Sequence, residues 1–231
     1  MSQLDNLHSF TVSVARGGLG MIVTDPAARQ PEKTLELYEF EACPYCRKVR
    51  EVLTAMDLPY VSRSCARGSQ NRAKAVAIGG KAQFPLLVDP NTGKHLYESE
   101  DIIDHLKQTY GQGARNPVVR TLSQLGTANG MLASALRHRG AQTPGRAQQP
   151  EKTLVLYNFE ASPYCRKVRE TLHELDLDAL VLNVGKKSKR RPDLVQRGGK
   201  MQVPYLIDPN TGREMYESDE IVAYLKQTYP L

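Results

Sequence analysis

The chain has 231 residues, 40% of them hydrophobic and 24% charged, with a net charge of +6 and a pI near 9.1. That balance is ordinary for folded domains facing water. No run approaches the ~20 apolar residues that cross a bilayer, and the start lacks the basic-then-apolar pattern of a secretion signal. No membrane partner is expected, and the cytoplasm is the expected compartment. The positive excess is concentrated in residues 112–149, which carry Arg115, Arg120, Arg137, Arg139 and Arg146 and no acid. Such a run reads as a solvated connector rather than a nucleic-acid surface.

Residues 1–30 form an N-terminal extension with no strong periodicity. The apolar run Thr34 to Phe40 is long enough for a buried strand and ends at Cys43-Pro44-Tyr45-Cys46. Val49, Val52, Leu53 and Met56 then recur at helical spacing, with Pro44 in the first turn and Cys43 as N-cap. A strand at Tyr60 to Ser64 follows, then a polar, basic stretch with a short helix ending at Gly79-Gly80. Phe84 to Val88 reads as a third strand, closed by the turn Asp89-Pro90-Asn91-Thr92-Gly93. A short strand near Leu96-Tyr97 leads into a helix from Ser99 to Tyr110.

After the connector, the same text returns. Residues 31–110 align without a gap on 150–229, with 44 of 80 positions identical. This divides the chain into an extension (1–30), a first domain (31–111), a basic and partly helical linker (112–149) and a second domain (150–231). Within the linker, Val118, Val119, Leu122, Leu125, Met131, Leu132 and Leu136 are expected to pack on the domains. One position separates the copies chemically: Ser162 stands where Cys43 stood, in Ser162-Pro163-Tyr164-Cys165. A thiol can ionise and exchange with disulfides near neutral pH; a serine hydroxyl cannot.

The cysteines are Cys43, Cys46, Cys65 and Cys165. In a reducing compartment, Cys-x-x-Cys after an apolar strand speaks for redox chemistry rather than structural disulfides. A single Cys-x-x-Cys with scattered histidines gives no four-ligand zinc set, so no metal is expected. Cys43 at a helix N-cap faces unpaired N–H groups and the positive end of the dipole, with Arg47 and Lys48 expected to add charge. Cys46, one turn on, can attack a mixed disulfide formed at Cys43. Cys65 reads as a half-buried structural thiol, with a third redox thiol as the alternative, and Cys165 reads as an inert small hydrophobe.

The order β-α-β-α-β-β-α, the motif after strand one and the proline opening strand three resemble the thioredoxin superfamily. Glutaredoxins and the N-terminal domain of glutathione transferases are the nearest in pattern. Gln202-Val203-Pro204, Leu206, Asp208, Tyr216, Glu217, Ser218 and Ile221 carry the resemblance in the second copy. Gln83-Phe84-Pro85, Glu98, Ser99 and Ile102 carry it in the first. No transferase-type helical domain is expected after either copy. The resemblance implies an α/β chain of two tandem thioredoxin-like domains with glutathione as cosubstrate. It also implies cis bonds before Pro85 and Pro204, with Phe84 or Val203 pairing to the cysteinyl unit. Glu98-Ser99 and Glu217-Ser218 would take the γ-glutamyl end, Gln83 or Gln202 and Lys81 or Lys200 the glycine carboxylate, and Tyr45 and Tyr164 would lie at the sites. The expected activity is glutathione-linked thiol–disulfide exchange on disulfide or glutathionylated proteins through Cys43 and Cys46. In this reading the second copy, with Ser162 and Cys165, is a divergent glutathione-binding module. Two alternatives stay open: a transferase using Cys43 or Ser162, and a non-catalytic glutathione- or protein-binding module. The sequence gives no oligomeric state.

Overall fold

The computed structural model describes residues 20–113, 139–146 and 148–231. The first copy runs β1 (Leu35–Glu39), α1 (Pro44–Ala55), β2 (Tyr60–Ser64), α2 (Asn71–Gly79), β3 (Leu86–Asp89), β4 (Lys94–Leu96) and α3 (Ser99–Tyr110). The second repeats it as β5 (Leu154–Asn158), α4 (Pro163–Glu174), β6 (Ala179–Asn183), α5 (Arg191–Gly198), β7 (Tyr205–Asp208), β8 (Arg213–Met215) and α6 (Ser218–Thr228). This is the expected element order in both copies. β3 begins at Leu86, two residues later than expected, because Pro85 has no N–H to give to a ladder. α2 and α5 each stop at a left-handed glycine, Gly80 at φ 82° and Gly199 at φ 79°, a conformation that glycine adopts without strain.

Each domain is three layers thick. Leu35 and Leu37 of β1 point to the face covered by α1 and α3, meeting Val49, Leu53, Ile102 and Leu106 in a fully buried cluster. The alternate residue Tyr38 points to the opposite face, where α2 brings Ala75 against Cys65 and Leu86. Period-two alternation on the strand and 3.6-residue spacing on the helices put these groups together. Each fully buried side chain of this size contributes about 1.5–3 kcal/mol.

Sequence reading did not anticipate how the copies join. Their sheets form one eight-stranded sheet in the order β4-β3-β1-β2-β6-β5-β7-β8. The seam is antiparallel, with Tyr60 opposite Val181, Val61 opposite Leu180 and Ser62 opposite Ala179. Two strand edges that would otherwise stay unpaired satisfy one another there. Val181 of β6 belongs to the first copy's core, so packing crosses the repeat boundary.

The segment leading into each copy crosses to the other. Val23 N–H bonds Lys186 O at 2.8 Å and Lys186 N–H bonds Met21 O at 2.8 Å, while Ala27 and Ala28 bond Met56 O and Tyr110 O of the first copy. Before the second copy, Arg67 N–H reaches Ala141 O at 2.8 Å and Thr143 N–H reaches Arg67 O at 2.9 Å. Two aspartates complete the exchange: Asp57 Oδ2 accepts from Lys189 N–H at 3.1 Å, and Asp176 Oδ2 accepts from Gln70 N–H at 3.2 Å. The cationic run 186–191 is therefore in good part a docking element. Arg190 lies 3.1 Å from Asp57, and Arg191 Nε donates to Val184 O and Gly185 O. The linker positions Val118 to Leu136 lie outside the described residues.

Candidate functional site

α1 starts where the sequence places it. Cys43, in extended conformation at φ −78° and ψ 118°, is the N-cap, and its Sγ accepts the backbone N–H of Cys46 at 3.3 Å. Pro44 occupies the first helical position, where its missing N–H costs nothing. The Phe84-Pro85 bond is cis, as is Val203-Pro204. Phe84 O lies 4.0 Å from Cys43 Sγ, so the motif and the proline loop meet. Phe84 is fixed by an edge-to-face contact with Phe40 at 6.2 Å and by the Arg72 guanidinium 4.9 Å from its ring centre.

The four thiols differ by environment. Cys43 is held below the usual thiol range by the Cys46 thiol donating to it, then by backbone N–H groups at the helix start and by Arg50. Burial alone would push it the other way. Cys46 is pushed well up by burial and by the neighbouring Cys43. Burial likewise raises Cys65 and Cys165. Arg47 and Lys48, expected to bathe Cys43 in positive charge, are engaged elsewhere. Arg47 Nε lies 3.6 Å from Glu160, and Lys48 pairs with Glu100. Arg50, two turns along the helix, supplies the cationic support instead.

Arg50 belongs to a buried ion cluster between the copies. Its Nε donates to Glu160 Oε2 at 2.9 Å, and its Nη2 lies 3.0 Å from Glu41. From the second copy, Arg169 donates to Glu41 Oε2 through Nε at 2.9 Å and to Oε1 through Nη2 at 3.2 Å. Burial disfavours the Glu41 carboxylate, but Arg169 and Arg50 outweigh it and hold the group well below the usual carboxylate range. Nothing in the spacing announced this cluster. The one trace was Arg-Lys-Val-Arg recurring unchanged in both helices, at positions where a solvent-facing stripe would tolerate drift.

In the second copy, Ser162 caps α4 in the same geometry, its Oγ accepting Cys165 N–H at 3.2 Å. Tyr164, Gln202, Val203, Pro204, Glu217 and Ser218 line one cleft of about 530 Å³, joined by Asp219 and Glu220, which sequence reading missed. That size suits a small-molecule ligand. Asp219 is met by Lys167 Nζ at 2.8 Å. Acidic residues in the first turn of a helix were the available signal for this pair. Ser162 is 3% exposed and is not among the side chains lining the cleft.

The residue before each helix-starting serine is strained. Glu98 has φ 60° and Glu217 φ 66°, outside the comfortable range for a residue with a Cβ. Each is gripped by a glutamine: Gln83 Nε2 donates to Glu98 Oε1, and Gln202 Nε2 donates to Glu217 Oε1 at 2.6 Å. Ser99 and Ser218 are both 6% exposed at the first helical position. Tyr45 and Tyr164 are exposed beside the two motifs.

A Cys-x-x-Cys helix cap facing a cis-proline loop, repeated as Ser-x-x-Cys on the same scaffold, defines a protein of two tandem thioredoxin-like domains. The sequence pattern of the glutathione S-transferase N-terminal domain matches residues 37–114 and again 156–231, and the chain belongs to that family. No curated protein matches it in sequence. Among solved structures it is similar to a trimeric glutathione transferase of Leishmania, TDR1, at 13% identity and a TM-score of 0.31, over 87% of this chain and 68% of that one. The protein is thus a glutathione-related member of the thioredoxin superfamily. No helix among the described residues is long and apolar enough to cross a membrane.

Proposed function

We propose that the first copy catalyses glutathione-linked thiol–disulfide exchange through Cys43, and that the second binds glutathione without a nucleophile. The observation that carries this reading is the Cys43 Sγ at a helix N-terminus, 3.3 Å from Cys46 N–H and beside the Phe84 carbonyl. A thiolate there is stabilised in place, ready to attack a disulfide sulfur.

Starting from a glutathionylated protein, the Cys43 thiolate attacks the glutathione sulfur. A Cys43–glutathione disulfide forms, and the protein thiolate leaves and takes a proton from water. A second glutathione, as thiolate, attacks the glutathione sulfur of that disulfide, releasing oxidised glutathione and restoring Cys43. Alternatively Cys46 loses its proton and attacks Cys43 Sγ, expelling glutathione and leaving a Cys43–Cys46 disulfide that two glutathiones reduce. Burial opposes the Cys46 thiolate, but once Cys43 is in a neutral disulfide its repulsion of that thiolate vanishes. The first route needs no buried thiolate and is the main one in this reading.

Glutathione would pair its cysteinyl backbone with Phe84 or Val203, as an added strand does. Its γ-glutamyl carboxylate would meet the N–H groups and hydroxyl at Ser99 or Ser218, and its ammonium the carboxylate of Glu98 or Glu217. Because Gln83 and Gln202 are spent on those glutamates, they support the glutamyl end rather than the glycine carboxylate. Lys81 and Lys200, stacked 4.5 Å and 4.6 Å from the ring centres of Tyr97 and Tyr216, are the nearer cations for the glycine end. The substrates would be glutathionylated or disulfide-bonded proteins, and the compartment the cytoplasm. Turnover of a glutathione mixed disulfide by the full chain, compared with Cys43→Ser, tests the reading. Loss of turnover supports it, and undiminished turnover refutes it.

A further inference from the structure

The second copy grips the loop that carries Cys43 in two ways, and one of them has no counterpart in the reverse direction. Glu41 stands two residues before the cysteine. Its carboxylate is held on both oxygens by Arg169, with both side chains 3% exposed or less. Its backbone N–H, 2.8 Å from His173 Nδ1, donates to that ring nitrogen. Nδ1 therefore carries no proton, and the proton on Nε2 faces Ser62 Oγ at 3.4 Å. Ser62 in turn donates to Glu39 Oε1 at 2.8 Å, at the end of β1. The imidazole is a neutral link between α4 and the two residues that flank the entry to the Cys43 loop.

The repeat provides its own comparison. The residue equivalent to His173 in the first copy is Thr54, which cannot reach a loop backbone as an imidazole does; its Oγ1 donates to Asn183 Oδ1 at 2.9 Å instead. The loop before Ser162 is tied by Arg50 to Glu160 and by Ala161 N–H to Gly20 O at 3.2 Å, a main-chain contact that any residue could make. The ion pairs are thus mirrored between the copies, whereas the histidine bond is given to the loop with the thiol alone.

We propose that His173 is a positioning residue for Cys43: the second copy, through the His173 Nδ1 acceptor on Glu41 N–H, holds the first copy's motif loop so that Sγ caps helix α1. The second domain then serves the first domain's chemistry whether or not it turns over substrate itself. A loosened loop lets Sγ leave the helix N-terminus, and a thiolate away from those N–H groups loses its stabilisation. Around the ring stand Glu41, Arg50 and Arg169, and burial drives the imidazolium down to about 3, so the acceptor form persists across the working range.

This inference rests on Cys43 being the reactive thiol, and the test separates the two claims. The rate of Cys43 alkylation by iodoacetamide is followed against pH in the full chain, in His173→Ala, and in His173→Asn and His173→Gln. The Asn carbonyl reaches where Nδ1 stands, and the Gln carbonyl where Nε2 stands. In His173→Ala and His173→Gln the midpoint moves up by about half a pH unit or more, so alkylation near neutral pH slows about threefold. The plateau rate at high pH does not change, and His173→Asn restores the native midpoint. Should the alanine variant fail to fold, the Asn and Gln variants alone decide. Coincident profiles for those two, or for a folded alanine variant and the native chain, overturn the positioning role. A native Cys43 that shows no lowered midpoint at all overturns the functional reading, and this inference falls with it.

Discussion

Arg50 Nε and Glu160 Oε2 lie 2.9 Å apart although 110 positions separate them in the chain, and both side chains are at most 2% exposed. This contact joins the helix of the Cys-x-x-Cys motif to the loop of the Ser-x-x-Cys motif. With its mirror, Arg169 on Glu41, it makes the two repeats a single electrostatic unit. A buried pair of this kind adds little net stability over well-packed apolar groups, because desolvation offsets attraction. It does fix register, since any other arrangement strands a charge.

Removing one partner should therefore be costly. Glu160→Ala leaves Arg50 and Arg47 facing a void and is expected to destabilise the chain by about 3–5 kcal/mol in urea unfolding. The double change Arg50→Met with Glu160→Leu should not recover that loss, because Arg50 also pairs with the buried Glu39, whose carboxylate would be left without its cation. If Glu160→Ala unfolds at the native midpoint, the cluster is not what holds the copies together.

Acid sensitivity has an identifiable contributor. The buried Asp89 carboxylate accepts hydrogen bonds from His105, Asn91 and Tyr110, which outweigh burial and hold it at about 2, against 3.8 when unfolded. A folded value below the unfolded one means stabilisation is complete above the unfolded value and is lost as pH falls towards 2. The contribution at neutral pH is roughly 2 kcal/mol. Unfolding free energies measured along a pH series should drop across that window in the native chain and lose this drop in Asp89→Asn. Parallel curves would show that Asp89 is not responsible.

The element order, the N-cap cysteine, the proline loops and the glutamate–serine helix starts were all legible in the sequence. Each is local, written in punctuation such as Cys43-Pro44, Asp89-Pro90 and Glu98-Ser99. What escaped was the relation between copies. The β2–β6 seam joins Tyr60-Val61-Ser62 to Ala179-Leu180-Val181, and nothing in either strand marks its edge as paired rather than solvated. The burial of Arg47, Arg50, Arg166 and Arg169 was not legible because burying a guanidinium demands a carboxylate, and the sequence places that carboxylate far away. His173 looked incidental for the same reason.

Reactivity should follow the environments of the four thiols. Only Cys43 is held below the usual thiol range; Cys46, Cys65 and Cys165 are raised by burial. Brief alkylation of the folded chain at neutral pH, followed by peptide mapping, should label Cys43 first. Equal early labelling of Cys65 or Cys165 would contradict the assignment.

The second copy should accept the chemistry it lacks. Ser162 caps α4 with nearly the same dihedral angles as Cys43 on α1, φ −70° and ψ 120°, and with the same N–H acceptor role. In a Cys43→Ser background, Ser162→Cys is expected to restore exchange activity to within about tenfold of the native chain, because thiolate formation at the cap governs rate. A folded but inert variant would show that the second cleft does not present glutathione to position 162.

The central claim, that Cys43 receives glutathione, is tested most directly by trapping the intermediate. Cys46→Ser removes the motif's second thiol and leaves the cap intact. On mixing with oxidised glutathione, the Cys43 thiolate should take one glutathionyl group and release one glutathione. Intact mass and peptide mapping should then find a single adduct, on Cys43, reversed by added glutathione. Absence of the adduct, or its appearance on Cys65 or Cys165 instead, would contradict the account.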